Sequence, residues 1–364
     1  MTKVPNTLLI PKLRFPEFEG GWKKNEIGRI LTIGSGKDYK HLLSGDIPVF
    51  GTGGQMSRVN KFLYDGESVF IGRKGTINKP GYFKGKFWTV DTLFYTHSFQ
   101  NVLPKFVLYL FENINWLNYN EASGVPSLSK STIEKIGINI PTITEQVKIC
   151  KTLSLIDTRI QTQSKIIQQL ETLMQNLRER LFVQQVRFKN NNRNLYSKWE
   201  ERKLKDIAIK KSSNISANKI EENFGDYVIY GASGILKKID FYEEENDYIG
   251  IVKDGAGVGR LFYCNGKSSV LGTMDIIEPT TGINAYFLFY LLSCIDFSKY
   301  VSGSTIPHIY FKDYKNEKCS IPSLEEQNRI ASFLLSISNK IEIEKQQLLN
   351  YEKQKKYLLQ NLFI

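Results

Sequence analysis

The sequence is poor in the residues from which many active sites and extracellular frameworks are built. There are four cysteines and three histidines in 364 residues. Cys150, Cys264, Cys294 and Cys319 show no metal-ligand spacing, which argues against a zinc module or a disulfide framework and for a reduced, cytoplasmic setting. His41, His97 and His308 are scattered and form no local catalytic or metal pattern. No apolar run approaches the length of a membrane span, and the opening residues lack an apolar core followed by a small-residue cleavage site, so neither a membrane partner nor a secretory signal is expected. A phosphate-binding loop is missing as well: Gly266-Lys267-Ser268 supplies its end, but Leu261 occupies the required glycine position. GAGVG at Gly255–Gly259 lacks the dinucleotide spacing and acidic partner and reads as a tight turn. These absences point to a non-enzyme. Acidic residues are also in deficit, 37 against 49 Lys and Arg, and the net charge of +12 at pH 7 favours a polyanionic partner, nucleic acid first.

What the sequence does contain is a long amphipathic segment written twice. PTITEQVKICKTLSLIDTRIQ from Pro141 returns as PSLEEQNRIASFLLSISNKIE from Pro322, an offset of 181 residues kept as far as Phe182 and Phe363. In the first copy Ile149, Leu153, Ile156, Ile160, Gln163, Ile167, Leu170, Met174, Leu177 and Leu181 recur in alternating steps of four and three, a heptad stripe that packs along another helix. The second copy keeps phase with Ile330, Leu334, Ile337, Ile341, Glu344, Leu348, Tyr351, Lys355, Leu358 and Leu362. Even the polar break, Gln163 and Glu344, falls at the same place. Thr142-x-x-Glu145 and Ser323-x-x-Glu326, each after a proline, predict capping boxes at the helix starts. About 40 residues at 1.5 Å each predict a rod of roughly 60 Å. The stripes are expected to pair within one chain; packing of each on its own domain, or on another subunit, is the alternative.

The rest of the chain repeats too. WKKNEIGRI from Trp22 has its counterpart in WEERKLKDIA from Trp199, and Phe50–Gly75 matches Tyr230–Gly255. This is an internal duplication of one globular domain plus one long helix. Each domain reads as mixed: SVFIGRKG and DYIGIVKDG as strands ending in basic glycine turns, KFWTVDTLFYTHS and SSVLGTMDIIEPT as strand pairs. KFVLYLFENINWLNY and AYFLFYLLSCIDFSKY read as buried helices, each followed by a polar Gly/Ser loop, a short helical turn and a strand.

This combination resembles the DNA-specificity subunit of a type I restriction–modification system. The likeness rests on PKLRFPEFEGGWKK (Pro11–Lys24), WEERKLKDIA, IPTITEQVKI, IPSLEEQNRI and LLQNLF, in this order and duplicated. It implies an α+β fold of two mixed α/β target-recognition domains, joined by two long helices in an intramolecular antiparallel coiled coil with pseudo-two-fold duplication. The boundaries are then an amino-terminal arm at 1–21, a first recognition domain at 22–141, a central helix at 142–186, a linker at 187–198 that is polar and open to flexing, a second recognition domain at 199–322 and a final helix at 323–364. The resemblance also implies that each domain reads one half of a bipartite, asymmetric DNA target. Two modification (methyltransferase) subunits would supply adenine methylation with S-adenosylmethionine. Restriction (motor/nuclease) subunits would supply ATP- and Mg-dependent work, with no cofactor in this subunit. The second stripe departs from apolarity at Tyr351 and Lys355, opposite in the repeat to Leu170 and Met174; this fits either a polar layer that fixes register or a surface covered by a partner.

Basic residues beside glycine turns are the DNA-contact candidates: Arg58, Arg73, Lys74 and Lys79 in the first domain, Lys237, Lys238, Lys253 and Arg260 in the second. Gln55, Ser57, Thr76, Asn78 and Ser233 are candidates for hydrogen bonds. Two other classes fit the composition less well. One is a non-catalytic architectural coiled-coil protein that binds DNA by charge only, and the other is an enzyme assembled from distant polar residues.

Overall fold

The capping signatures mark where two long helices begin. In the computed structural model, which describes residues 9–364, these helices cover Ile143–Phe182 and Leu324–Leu362. The hydroxyls of Thr142 and Ser323 accept from the N–H groups of Glu145 and Glu326, both at 3.4 Å. The glutamate carboxylates, expected to turn back in capping boxes, are engaged elsewhere. Glu145 accepts from Arg14 Nε and Nη2 at 2.9 and 2.8 Å and from the Trp22 indole at 3.1 Å. Glu326 accepts from Arg187 at 3.2 and 2.7 Å and from Trp199 at 3.0 Å. Both glutamates are buried, and a buried carboxylate requires a cation and several donors.

The part of the arm within the described residues and the segment 187–198 therefore act alike: each returns an arginine to the start of a long helix, beside the tryptophan that opens the next domain. Arg14 also donates to the carbonyls of Glu19 and Gly20, and Arg187 to those of Tyr196 and Ser197. The next residue completes the lock. Gln146 accepts from the N–H of Leu103 and donates to the carbonyl of Pro141; Gln327 does the same with Asn284 and Pro322. Residues 1–8 of the expected arm lie outside the described residues.

The chain divides into two compact units. Residues up to Ser164 with Gln346–Ile364 form one, and Lys165–Lys345 the other. In the first, a six-stranded sheet runs in the order Thr32–Ser35, Leu93–His97, Tyr64–Gly72, Gly81–Thr89, Ile47–Gly51, Gly54–Val59. The nine-residue strand Gly81–Thr89 joins its two parts, pairing antiparallel with Tyr64–Gly72 and parallel with Ile47–Gly51. In the second unit the corresponding stretch is broken by Asn265–Lys267 into Leu261–Cys264 and Ser268–Val270, so a four-stranded and a three-stranded sheet replace the single sheet. In each unit a helix, Pro104–Asn113 or Ala285–Leu292, covers the sheet and feeds the main core. A short antiparallel pair, Lys23–Glu26 with Gly137–Ile140 or Glu200–Lys203 with Lys318–Ile321, closes the domain next to its long helix.

Within each unit the long helices run antiparallel. In the first, Ile149 and Leu153 share a core with Leu358, Leu362 and Phe363, while further along Arg159 lies over the ring of Tyr351. In the second, Met174 and Leu181 pack with Ile330 and Leu334, and Lys345 reaches Glu171 at 2.7 Å. Every position of both stripes is buried or half-buried. Lys355 belongs to a polar layer: its ammonium lies 2.7 Å from Glu112 and 2.8 Å from Asp157, and Asp157 accepts from the Tyr109 hydroxyl at 2.7 Å.

Candidate nucleic-acid interface

Three loops recur in each domain, and backbone bonds hold the second and third together. The first is a hairpin tip: Thr52-Gly53 between Ile47–Gly51 and Gly54–Val59, or Ala232-Ser233 between Tyr227–Gly231 and Gly234–Ile239. The second is the basic glycine turn after the central strand, at 73–80 or 253–260. The third is the polar loop at 120–127 or 302–308. Gly75 donates to the carbonyl of Pro126 at 2.8 Å, and Gly255 to that of Pro307 at 2.8 Å. Both glycines sit at positive φ, +90° and +85°, where a side chain is disfavoured. The returning contacts also match: Leu128 donates to Arg73, and Ile309 to Lys253, both at 2.9 Å. In the second domain Arg260 donates to the carbonyl of Ala232, tying the glycine turn to the hairpin tip.

The sequence candidates fall into two groups on these loops. Gln55, Lys74, Asn78, Lys79, Ser233 and Lys238 have exposed side chains, and Ser57 and Thr76 are half-buried. The guanidinium groups of Arg58 and Arg73 are exposed but steadied, Arg58 by the carbonyl of Asp46 and Arg73 by that of Asp91 and the ring of Phe94. Lys237, Lys253 and Arg260 are committed to the scaffold. Lys237 donates to the carbonyls of Ile220 and Glu221 above the Phe224 ring. Lys253 lies 3.3 Å from Asp275, a buried carboxylate that also draws Lys210 and the Ser212 hydroxyl. An aspartate so buried demands nearby cations, which takes Lys253 out of the freely disposable charge.

Exposed apolar side chains on the same loops were not among the candidates. Met56 and Val125 are exposed in the first domain, and Ile235, Leu236 and Ile306 in the second. Met56 corresponds to Leu236, and Val125-Pro126 to Ile306-Pro307, so the repeat offset carried the signal. The remaining chemistry is muted. Burial pushes the thiols of Cys150, Cys264 and Cys319 up to about 12, away from thiolate reactivity. Among the described residues no group of three or more His, Cys, Asp or Glu side chains can hold a metal, and no helix is long and apolar enough to cross a membrane.

Two matching loop clusters in one chain agree with its relatives. The family model for the type I restriction modification DNA specificity domain matches residues 19–172 and again 196–352. The chain belongs to this family. It is 28% identical over 333 residues to the type I restriction enzyme MjaVIII specificity subunit of Methanocaldococcus jannaschii, covering 82% of this chain and 76% of the relative. To the EcoDI specificity subunit of Escherichia coli it is 22% identical over 358 residues, 85% of this chain and 79% of the relative. The crystal structure of the type I restriction–modification S subunit from M. genitalium matches at a TM-score of 0.71 with 19% identity, over 98% of this chain and 99% of that one. The fold is thus that of two tandem DNA-specificity domains with two long helices, and the chain is a non-catalytic specificity subunit that associates with DNA and with other subunits.

Proposed function

We propose that each three-loop cluster reads one half of a bipartite, asymmetric DNA target, and that the long helices set the unread spacer and dock two modification subunits. The observation that supports this reading most is the repetition of the cluster: hairpin tip, glycine turn and polar loop recur in both specificity domains, with the same backbone bonds between glycine turn and polar loop. Exposed Lys and Arg side chains supply sequence-independent phosphate contacts, whereas Gln55, Ser57 and Ser233 at the hairpins carry groups suited to base edges. Adenine methylation with S-adenosylmethionine, and ATP- and Mg-dependent motor and nuclease work, belong on this reading to the partner subunits, in the cytoplasm. The unbroken course of each long helix supports the spacer role.

The test uses the subunit assembled with its modification partners. Replacing Arg73 and Lys74 together by Ala should weaken binding to all sequences and lower the salt dependence of affinity by about two phosphate contacts. Gln55→Ala should instead relax preference at positions of one half-site. Equal loss of affinity on target and shuffled DNA for both variants would favour the charge-only reading. Deleting Gln163–Gln169 with Glu344–Asn350 removes one heptad from each helix and about 10 Å of rod. A shortened protein that folds, discriminates DNA and still prefers the original spacer would remove the helices from the spacer role.

A further inference from the structure

The two loop clusters share a backbone and differ in charge. Residues 22–141 carry 15 Lys and Arg against 9 Asp and Glu, a net +6; residues 199–322 carry 15 against 17, a net −2. The cations are equally many, so the difference lies in the carboxylates set among them. At the glycine turn the exchange runs position by position. Phe94 and Asp275 occupy the same strand position, opposite Ser35 and Ser212. Arg73 therefore sits over a neutral ring at 6.0 Å, whereas Lys253 faces a carboxylate at 3.3 Å. The next residue changes sign: Lys74 pairs through its backbone with Ser127 in one domain, and Asp254 with His308 in the other. Lys79 gives way to Gly259. Arg58 matches Lys238, Arg260 offsets Asp254, and Lys237 is turned onto the carbonyls of Ile220 and Glu221. With Glu121 set against one lysine, the first cluster keeps an excess of about two cations.

The hairpins differ in the complementary sense. Gln55, opposite Phe50, is replaced by Ile235, opposite Tyr230. Ile235 is 65% exposed and Leu236 43%. Gly231 makes room for the leucine, since a Cβ there would come within 2.6 Å of Leu236 Cδ1. On the reading that both clusters contact DNA, we infer that the domains divide the work of binding. The first supplies most of the salt-dependent attraction to phosphates, and the second discriminates through apolar contacts of Ile235 and Leu236 with base edges. Neutralised phosphates give affinity without regard to sequence, in proportion to the cations free to meet them. Screening limits exposed charges to about 8 Å at physiological salt, so the charges on the loops count most. Apolar contact with a base edge, such as a thymine methyl, carries sequence information and releases no counterion. The first domain is the anchor, and the second reads with the weaker hold.

The test uses the full chain assembled with its modification subunits, on the duplex recovered by half-site selection from randomised DNA. Half-sites are assigned to domains by exchange of residues 23–140. Neutral methylphosphonate linkages are then placed through one half-site or the other, and affinity is measured. The modification subunits of the proposed complex are two copies of one protein, so the difference between half-sites reports this chain. Neutral linkages in the first domain's half-site should cost about fivefold more affinity than in the second's. Arg73→Ala with Lys74→Ala should erase that excess. Ile235→Ala with Leu236→Ala should relax sequence preference in the second half-site and leave the salt dependence unchanged. Equal losses from the two placements, a larger loss at the second half-site, or an excess that survives Arg73→Ala with Lys74→Ala would overturn the division. So would undiminished discrimination by the Ile235 and Leu236 variant. Failure of the DNA reading itself looks different: neither double variant would then alter affinity or half-site preference.

Discussion

The two units keep one set of buried polar contacts and exchange another. The locks at the helix starts are repeated almost atom for atom: Arg14, Trp22, Glu145 and Gln146 in one unit, Arg187, Trp199, Glu326 and Gln327 in the other. About three turns further along the helices, the ion-paired carboxylate of Asp157 gives way to the hydroxyl of Ser338. The sheets differ as well, one continuous strand at Gly81–Thr89 against two short ones. The contacts held in common are those that fix how a domain joins its helix. The contacts that differ lie outside that junction.

Substitutions in the seam should break the comparison most severely. Leu153 and Leu334 are fully buried equivalents, and Asp at either should cost several kcal/mol by burying an unpaired charge. Hydrogen exchange is expected to show loss of protection centred on the unit that carries the substitution. Ile337 is only half-buried, so Ile337→Asp should cost less than Ile156→Asp although the stripe treats the two alike.

The locks come next. Glu145→Ala and Glu326→Ala each strand an arginine and an indole N–H, at a cost of about 3–5 kcal/mol. Urea unfolding should give similar penalties for both, because their partners match. Markedly unequal penalties would show that the two junctions differ in strength despite their geometry.

The charged layer should separate the units. Lys355→Met is expected to cost about 2 kcal/mol, less than a fully buried pair, because all three side chains retain some exposure. The triple variant E112S/D157S/K355M should cost less than Lys355→Met alone, a non-additivity that marks a shared layer. Burial holds Glu112 above its usual carboxylate range, while bonds to Asp157 and Glu112 outweigh the opposing effect of burial and raise Lys355 above 10.5. A carboxyl raised in the folded state favours folding below its unfolded pKa and disfavours it as pH rises through the folded one. The Lys355→Met penalty should therefore be present at neutral pH and shrink as pH falls through the acid range. The smallest stability effect is expected for Arg73→Ala with Lys74→Ala, within about 0.5 kcal/mol, since both side chains are exposed.

The helices and their register were legible because periodicity and caps are local signals. The locks were not, because Arg14 meets a glutamate 131 residues away and Arg187 one 139 residues away. The clue was present nonetheless: RF ahead of a tryptophan, and EQ after a proline, occur in both copies. Segment 187–198 looked like a linker from its asparagines, whereas the backbone carbonyls of Tyr196 and Ser197 serve to seat Arg187. The glycine turns were readable from composition, but the commitment of Lys253 to Asp275 was not. That pairing depends on two adjacent antiparallel strands, Tyr248–Val252 and Met274–Pro279, whose register sets Asp275 opposite Ile251 and so within reach of Lys253, the first residue past the strand. Lys355 stood out as a defect in an apolar stripe, and its partners on the domain helix and the opposite long helix make it a paired charge.

Exchange of one domain tests most directly whether the two clusters are independent readers. Residues 23–140 would be replaced by the corresponding domain of a related specificity subunit, leaving Arg14, Trp22, Glu145 and Gln146, the second lock and both long helices in place. Half-site selection from randomised DNA would then be measured with the modification subunits bound. The expected result is a new sequence in one half-site, with the other half-site and the spacer unchanged. Loss of discrimination at both half-sites by a folded, assembled chimera would contradict the account.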